Sequence, residues 1–235
     1  MHPDLSKLLD LQAKDAAIAA VDERVAGVDA DVALLDQELD RARGARDTAE
    51  RAATDGAKRR DELEVKIESY RQIQERRRQR LEFVRNPKEA STLMAEMDLA
   101  RSVLAKEEGD WVRAADAVEQ LRGKVGEEDQ KVEAVEADQQ ARRAELAERR
   151  SRLLAERADL VRERESSAGL IERTLRTRYD RLRRARASAV VVPLSGDACG
   201  ACFTAVPRNR RSQIRSGALL EGCEACGVIL YAAES

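Results

Sequence analysis

The sequence predicts a mostly α protein in which a long antiparallel coiled-coil helical hairpin is followed by a small C-terminal β domain. Three observations carry this expectation. Prolines fall only at positions 3, 87, 193 and 207, so two very long segments contain no helix breaker. Within both segments apolar residues recur at alternating spacings of three and four, the pattern of a heptad seam. Near residue 189 the charged helical pattern gives way to Gly, Cys and apolar residues.

Composition agrees with long helices. Of the 235 residues 37% are charged and only 3% are aromatic, too few large side chains for an extensive globular core. Much of the apolar content is alanine, which favours helix and buries little surface. The formal net charge of −2 selects no class of partner. No apolar run approaches the roughly 20 residues that span a bilayer, and the N-terminus lacks a signal-peptide apolar region. The expectation is a cytoplasmic protein with no membrane partner.

The first helix is expected over about residues 4–85. Its seam runs through Ile18, Val21, Val25, Val28, Val32, Leu35, Leu39 and Ala42, then Ala49, Ala53, Gly56, Leu63, Ile67 and Tyr70, and reaches Leu81 and Val84. Arg46, Arg60, Gln74 and Arg77 interrupt it, so it weakens toward the turn. The second helix is expected over about residues 87–188. Its seam carries Leu93, Met97, Ala100, Leu104, Trp111, Ala114, Val118, Leu121, Val125, Val132 and Val135, then Leu146, Leu153 and Leu160.

If the chain folds back at Pro87, antiparallel partners must have residue numbers of constant sum. The seams satisfy this, pairing Leu81 with Leu93, Leu63 with Trp111, Gly56 with Val118, Ala53 with Leu121 and Ala49 with Val125. The same rule pairs Ala42 with Val132, Leu39 with Val135, Val28 with Leu146 and Val21 with Leu153. Small residues of the first helix oppose larger ones of the second, as a packed seam requires. At the turn Asn86 reads as N-cap, Pro87 as the first helical position and Glu89 as the carboxylate of the first turn, with Lys88 between. At 1.5 Å per residue each arm is expected to be on the order of 120 Å long. The hairpin is assigned residues 1–188, with its turn near 85–89, and the β domain residues 189–235. The two are expected to have separate cores.

The C-terminal domain holds Cys199-Gly200-Ala201-Cys202 and, after 20 intervening residues, Cys223-Glu224-Ala225-Cys226. A two-residue spacer lets one tight turn present two thiolates to one ion, so two such pairs read as a single tetrahedral Zn²⁺ site. Strands are expected at the run starting Val190-Val191-Val192-Pro193, at Phe203 to Val206, at Leu219-Leu220 and at Val228 to Tyr231. That is the order of a zinc ribbon, whose small core leaves much of its folding free energy to the metal. A redox dithiol is disfavoured, because there are two matched pairs and no thioredoxin-like βαβ pattern. A catalytic zinc would need an open position, whereas four thiolates close this one and the lone histidine is the terminal His2. No other active-site pattern occurs, so the expectation is a non-enzymatic protein with no small-molecule substrate.

Positive charge is concentrated at two places. Between Tyr70 and Lys88 six Arg and one Lys stand against Glu75 and Glu82, an excess of five. Between Ile171 and Val190 lie Arg173, Arg176, Arg178, Arg181, Arg183, Arg184 and Arg186 against Glu172 and Asp180, again an excess of five. Arg208, Arg210, Arg211 and Arg215 add to this in the loop between the cysteine pairs. Clustered guanidinium groups suit a nucleic-acid backbone, RNA or DNA, while the plain alternative is a solvated charged face. Of the aromatics only Phe203, Tyr179 and Tyr231 are placed to stack on bases. A hairpin that carries acidic residues into a polymerase channel is excluded by the basic turn.

The Asn86-Pro87-Lys88-Glu89 turn, the stretch Tyr179-Asp180-Arg181-Leu182-Arg183 and the terminal Cys223-Glu224-Ala225-Cys226-Gly227-Val228-Ile229-Leu230-Tyr231 together resemble a bacterial family. Its members are coiled-coil proteins with a C-terminal four-cysteine zinc ribbon, described as nucleic-acid-binding, and they include a flagellar-biogenesis chaperone and a chlamydial sigma-factor-binding protein. The likeness extends over almost the whole chain. It implies a regulatory or chaperone-like binding protein with transcription-related protein partners, and zinc ligands at Cys199, Cys202, Cys223 and Cys226. The chain departs from the family at Ala90, where an aromatic is common, and at Val228, where arginine is common. The alternative function is a purely protein-binding coiled-coil scaffold or chaperone with structural zinc.

Overall fold

The computed structural model describes residues 3–185, 189–217 and 220–233. Its elements are α1 (Leu5–Phe83), α2 (Pro87–Gly169), α3 (Arg173–Arg184), β1 (Val191–Ser195), β2 (Ala198–Cys199), α4 (Arg208–Ser216) and β3 (Ile229–Tyr231). The chain divides into two compact units, Val32–Ala144 and a second made of Met1–Asp31 with Glu145–Ser235.

In the Val32–Ala144 unit α1 and α2 run antiparallel around the expected seam. Ala49, Ile67, Leu93, Ala100 and Val118 are buried there. Gly56 lies against Val118, as the constant-sum rule requires: a Cβ at Gly56 would sit 3.4 Å from Val118 and 3.2 Å from Leu121. Along one flank, ion pairs cross between the helices at seven-residue intervals, with Arg143 on Asp36 at 2.7 Å and Arg43 on Glu136 at 2.6 Å. The same positions recur at Arg71 and Glu108, 2.7 Å apart. Two of the polar seam residues find acidic partners beside the seam, where Arg46 bridges Asp129 and Glu50 and Arg77 reaches Glu96.

The turn follows its sequence logic. Asn86 Oδ1 accepts the Lys88 amide at 3.0 Å and Asn86 O accepts Ala90 N at 3.0 Å, so α2 starts at Pro87 as a capped helix. Glu89 pairs with Arg80 across the turn at 2.8 Å.

In the second unit the seam continues through buried Ile18, Val21, Val28, Leu146 and Leu153. The seven-residue ladder holds here too, with Asp29 paired to Arg150, Asp22 to Arg157 and Asp15 to Arg164. The second helix does not run to residue 188. It stops at Gly169, and a turn closed by Leu170 N to Ser167 O and Ile171 N to Ala168 O leads into α3. Glu172 then caps α3, its carboxylate accepting from Thr174 N and Leu175 N. The break was hidden because Glu172, read as one more helical charge, is a cap.

The β domain differs from the expected strand order. Its sheet is ordered β2-β1-β3, with β1 antiparallel to β2 and parallel to β3. Phe203 to Val206 contributes only an isolated bridge between Ala198 and Ala205, and the loop between the cysteine pairs carries α4. Leu220 lies outside every strand, and Leu219 lies outside the described residues.

The expectation of separate cores is also corrected. One core joins Leu5, Leu8 and Leu11 of α1, Ala168, Ile171 and Tyr179 to Val190, Val191 and Ile229 of the sheet region. A second joins Val192, Cys199, Val206, Ile214, Cys223, Val228 and Leu230. Period-two alternation explains the division: Val191 and Ile229 face the helices, while the next residues, Val192 and Leu230, face the cysteines. Gln12 adds a polar clamp, its side chain accepting from Val190 N and Val191 N and donating to Val191 O, all within 2.9 Å. No described helix is long and apolar enough to cross a membrane.

Candidate functional site

The four cysteines come from two similar turns. Cys199 ends β2 and Cys202 follows in a turn closed by Phe203 N to Cys199 O at 2.9 Å. Cys223 and Cys226 repeat this with Gly227 N to Cys223 O at 2.8 Å. Each turn ends on a left-handed residue, Phe203 at φ 60° and Gly227 at φ 78°. Glycine is also required inside the first turn, because a Cβ at Gly200 would lie 2.4 Å from Pro193 O.

All four Sγ atoms lie within 4.8 Å of one another. Cys199 Sγ is 3.8 Å from Cys226 Sγ, and Cys202 Sγ is 3.6 Å from Cys223 Sγ. A disulfide needs about 2.05 Å, so these sulfurs are not bonded. Thiolates at about 2.3 Å from a common ion make a tetrahedron with edges near 3.8 Å, which these separations fit. The cluster therefore has the donor type and spacing to hold one metal ion, with Cys199 and Cys223 buried.

Without a cation the thiols differ in acidity. A hydrogen bond from the Thr204 hydroxyl pulls Cys202 down to about 6. Burial pushes Cys226 up to about 12 and raises Cys199 as well. A bound cation favours the thiolate at all four positions.

The arginines assigned to partner binding fall into two groups. Arg183 is 2.8 Å from Asp15 and Arg176 is 2.9 Å from Glu165. Arg178 donates to Leu220 O, Arg184 to Asp180 O of its own helix, and Arg210 pairs with Glu221 and Glu224. Arg211 pairs with Asp197, and Arg215 approaches the same carboxylate at 4.0 Å. Arg173, Arg181 and Arg208 are exposed and have no carboxylate partner among the described residues, while Arg186 lies outside them.

Sequence reasoning missed a buried ionic cluster at the helix ends. Asp15, 5% exposed, accepts from Tyr179 Oη at 2.8 Å, Arg183 at 2.8 Å and Arg164 at 3.2 Å, and Arg164 also bonds Asp180. Burial raises the Tyr179 hydroxyl above its ordinary value, and its bond to Asp15 raises it further. Burial works against the Arg164 charge, yet Asp180 and Asp15 outweigh it and hold that guanidinium protonated more firmly than usual. Tyr179 is therefore enclosed and Tyr231 half-buried, leaving Phe203, 74% exposed, as the accessible aromatic of this domain.

No protein-family model matches this chain, and no curated protein does. Solved structures do. A Chlamydia trachomatis protein, CT398, superposes with a TM-score of 0.84 at 19% identity over 97% of each chain. The likeness establishes the fold. A Mycobacterium smegmatis protein superposes with a TM-score of 0.63 at 24% identity, covering 99% of this chain and 100% of that one. The HP0958 protein of Helicobacter pylori gives a TM-score of 0.47 at 17% identity over 98% of each chain. The first two likenesses show that the long helical hairpin with a small C-terminal β region is a fold found among solved bacterial proteins.

Proposed function

We propose that the chain is a non-enzymatic cytoplasmic adaptor whose four-thiolate zinc site builds a rigid ribbon that binds nucleic acid or transcription-related protein, the hairpin offering a second surface to proteins. The observation that carries this reading is the four-sulfur cluster. Its donors match zinc, and four protein thiolates leave no open position for substrate, which makes the metal structural. A reducing cytoplasm keeps such thiols available to metal.

Two further features support a binding role. The groove of about 580 Å³ beside Tyr179 is lined by Ala13, Ala16 and Ala19, and its Asp15 and Arg183 neutralise each other, so its described lining carries no unpaired carboxylate. At the ribbon end Arg173, Arg181 and Arg208 remain available to an anion. A purely protein-binding role is favoured by one observation, the internal pairing of Arg176, Arg183, Arg210 and Arg211.

Gel shifts of the full chain at two salt concentrations separate these readings. If phosphate contacts dominate, single-stranded RNA or duplex DNA is retarded at low salt and released at high salt. Changing Arg173, Arg181 and Arg208 together to alanine then weakens binding at least tenfold. Retardation unaffected by those substitutions, or none at all, removes the nucleic-acid half and leaves the protein-binding role.

A further inference from the structure

In the Val32–Ala144 unit the two flanks of the α1–α2 seam are unlike. One carries the crossing ion pairs at Asp36–Arg143, Arg43–Glu136 and Arg71–Glu108. On the other flank, near the turn, the facing positions are Ile73 and Val103, which carry no charge. Together with Tyr70, Leu99 and Ala100 they line a groove of about 180 Å³, with the Arg77–Glu96 pair at its edge. Leu99 is 67% exposed.

Two cations stand beside this groove without a carboxylate. Arg76 is one helical turn beyond Ile73, and its guanidinium finds only the carbonyl of Gln72 at 3.3 Å. Lys106 is one turn beyond Val103 and has no carboxylate partner among the described residues. In a unit where most crossing charges are matched, an apolar strip flanked by unmatched donors is an incomplete interface.

We infer that this flank is a docking site for one amphipathic helix of a partner protein, a helix with an apolar stripe bordered by carboxylates. The inference rests on the hairpin serving as a protein-binding surface. Ile73, Leu99 and Val103 receive the stripe, and Arg76 and Lys106 receive the acids, so that a third helix locally completes the bundle. A nucleic-acid strand satisfies the two cations but leaves the apolar strip in water, and the chemistry therefore favours protein.

The test uses the full chain and a labelled three-heptad helical peptide with a leucine stripe flanked by glutamates, followed by fluorescence anisotropy. Binding is expected, with a loss of at least tenfold in Leu99→Glu and in the double variant Arg76→Glu with Lys106→Glu. The double variant is expected to regain affinity for the same peptide with lysine in place of glutamate. All three positions are exposed, and unchanged circular dichroism shows that each variant is folded. Four results overturn the inference: no binding by the native chain, affinity unaffected by Leu99→Glu, no rescue by the lysine peptide, or self-association of the native chain abolished by Leu99→Glu. An oligonucleotide of equal charge that binds as well, and is lost in the same double variant, also overturns it. Gel shifts that depend on Arg173, Arg181 and Arg208 stand or fall separately, so failure here is distinguishable from failure of the proposed function.

Discussion

Asp15 illustrates how one side chain joins distant segments. Its carboxylate gathers Tyr179, Arg183 and Arg164, and with Asp180 the cluster has nearly balanced charge inside a buried region. Removing Asp15 takes a carboxylate from the buried Arg164, whereas removing one donor leaves the others in place. Asp15→Ala is therefore expected to cost about 3–5 kcal/mol, and Tyr179→Phe about 1–2 kcal/mol, in urea unfolding monitored at 222 nm. The raised Tyr179 value has a consequence of definite sign. The native state holds this proton after the unfolded chain, with its ordinary value near 10, has released it. The stability it confers is full below that pH and declines above it, and Tyr179→Phe should flatten the decline. The cysteines were legible because their chemistry is written in spacing. Asp15 and Tyr179 were not, since they meet across 164 positions and only the docking of α3 brings them together.

The helices show which parts of an element the sequence announces. Heptad spacing located the seam and its antiparallel partners, because the period is local and any packed pair must obey it. It did not reveal that α2 ends at Gly169, because Glu172 is as compatible with helix interior as with a cap. The strand at Phe203 to Val206 failed for a related reason: apolar character was correct, but the tight turns that carry the four cysteines use that segment as connection. The Glu172 cap gives α3 a dependence on acid. Its carboxylate lies below the ordinary range, chiefly through the hydrogen bond from the Thr174 side chain and then the Thr174 amide. A lowered value means the cap contributes fully above the usual glutamate pKa and is lost as pH falls through the native value. Amide exchange in α3 should accelerate on acidification in that window, and Glu172→Gln should remove most of this response. An unchanged acid profile in that variant would show that the cap does not govern α3.

At the scale of the whole molecule, the cysteine cluster, the sheet and the helix ends are joined through shared cores, so a metal held by the cysteines would be coupled to all of them. The sheet serves two cores, so loosening the cysteine side also loosens Val190, Val191 and Ile229 against Leu5, Leu8 and Leu11. Structural zinc in such sites contributes on the order of 10 kcal/mol, comparable with the stability of an entire domain. Chelation, or Cys223→Ser, is therefore expected to deprotect the ribbon amides and also α1 up to Gln12, while Val32–Ala144 keeps most of its exchange protection and its helical signal. Exchange confined to residues 195–228 would show instead that the sheet holds its place without metal. Acid acts in the same direction as chelation, because protons compete with the cation for thiolates.

The ion-pair ladder sets a rule for how such a hairpin can change size. The rungs Asp36–Arg143, Arg43–Glu136 and Arg71–Glu108 are separated by multiples of seven residues on both arms, so material between them can enter or leave only as matched whole heptads, one from each arm at the same level. Any other insertion turns one arm's stripe away from its partner and breaks every rung beyond it. The sheet obeys a finer rule, since a single-residue slip in β1 exchanges the side facing the cysteines for the side facing the helices. Length in this architecture is thus counted in sevens along the arms and in twos at the sheet, and the end that carries the cysteines is the less forgiving of the two.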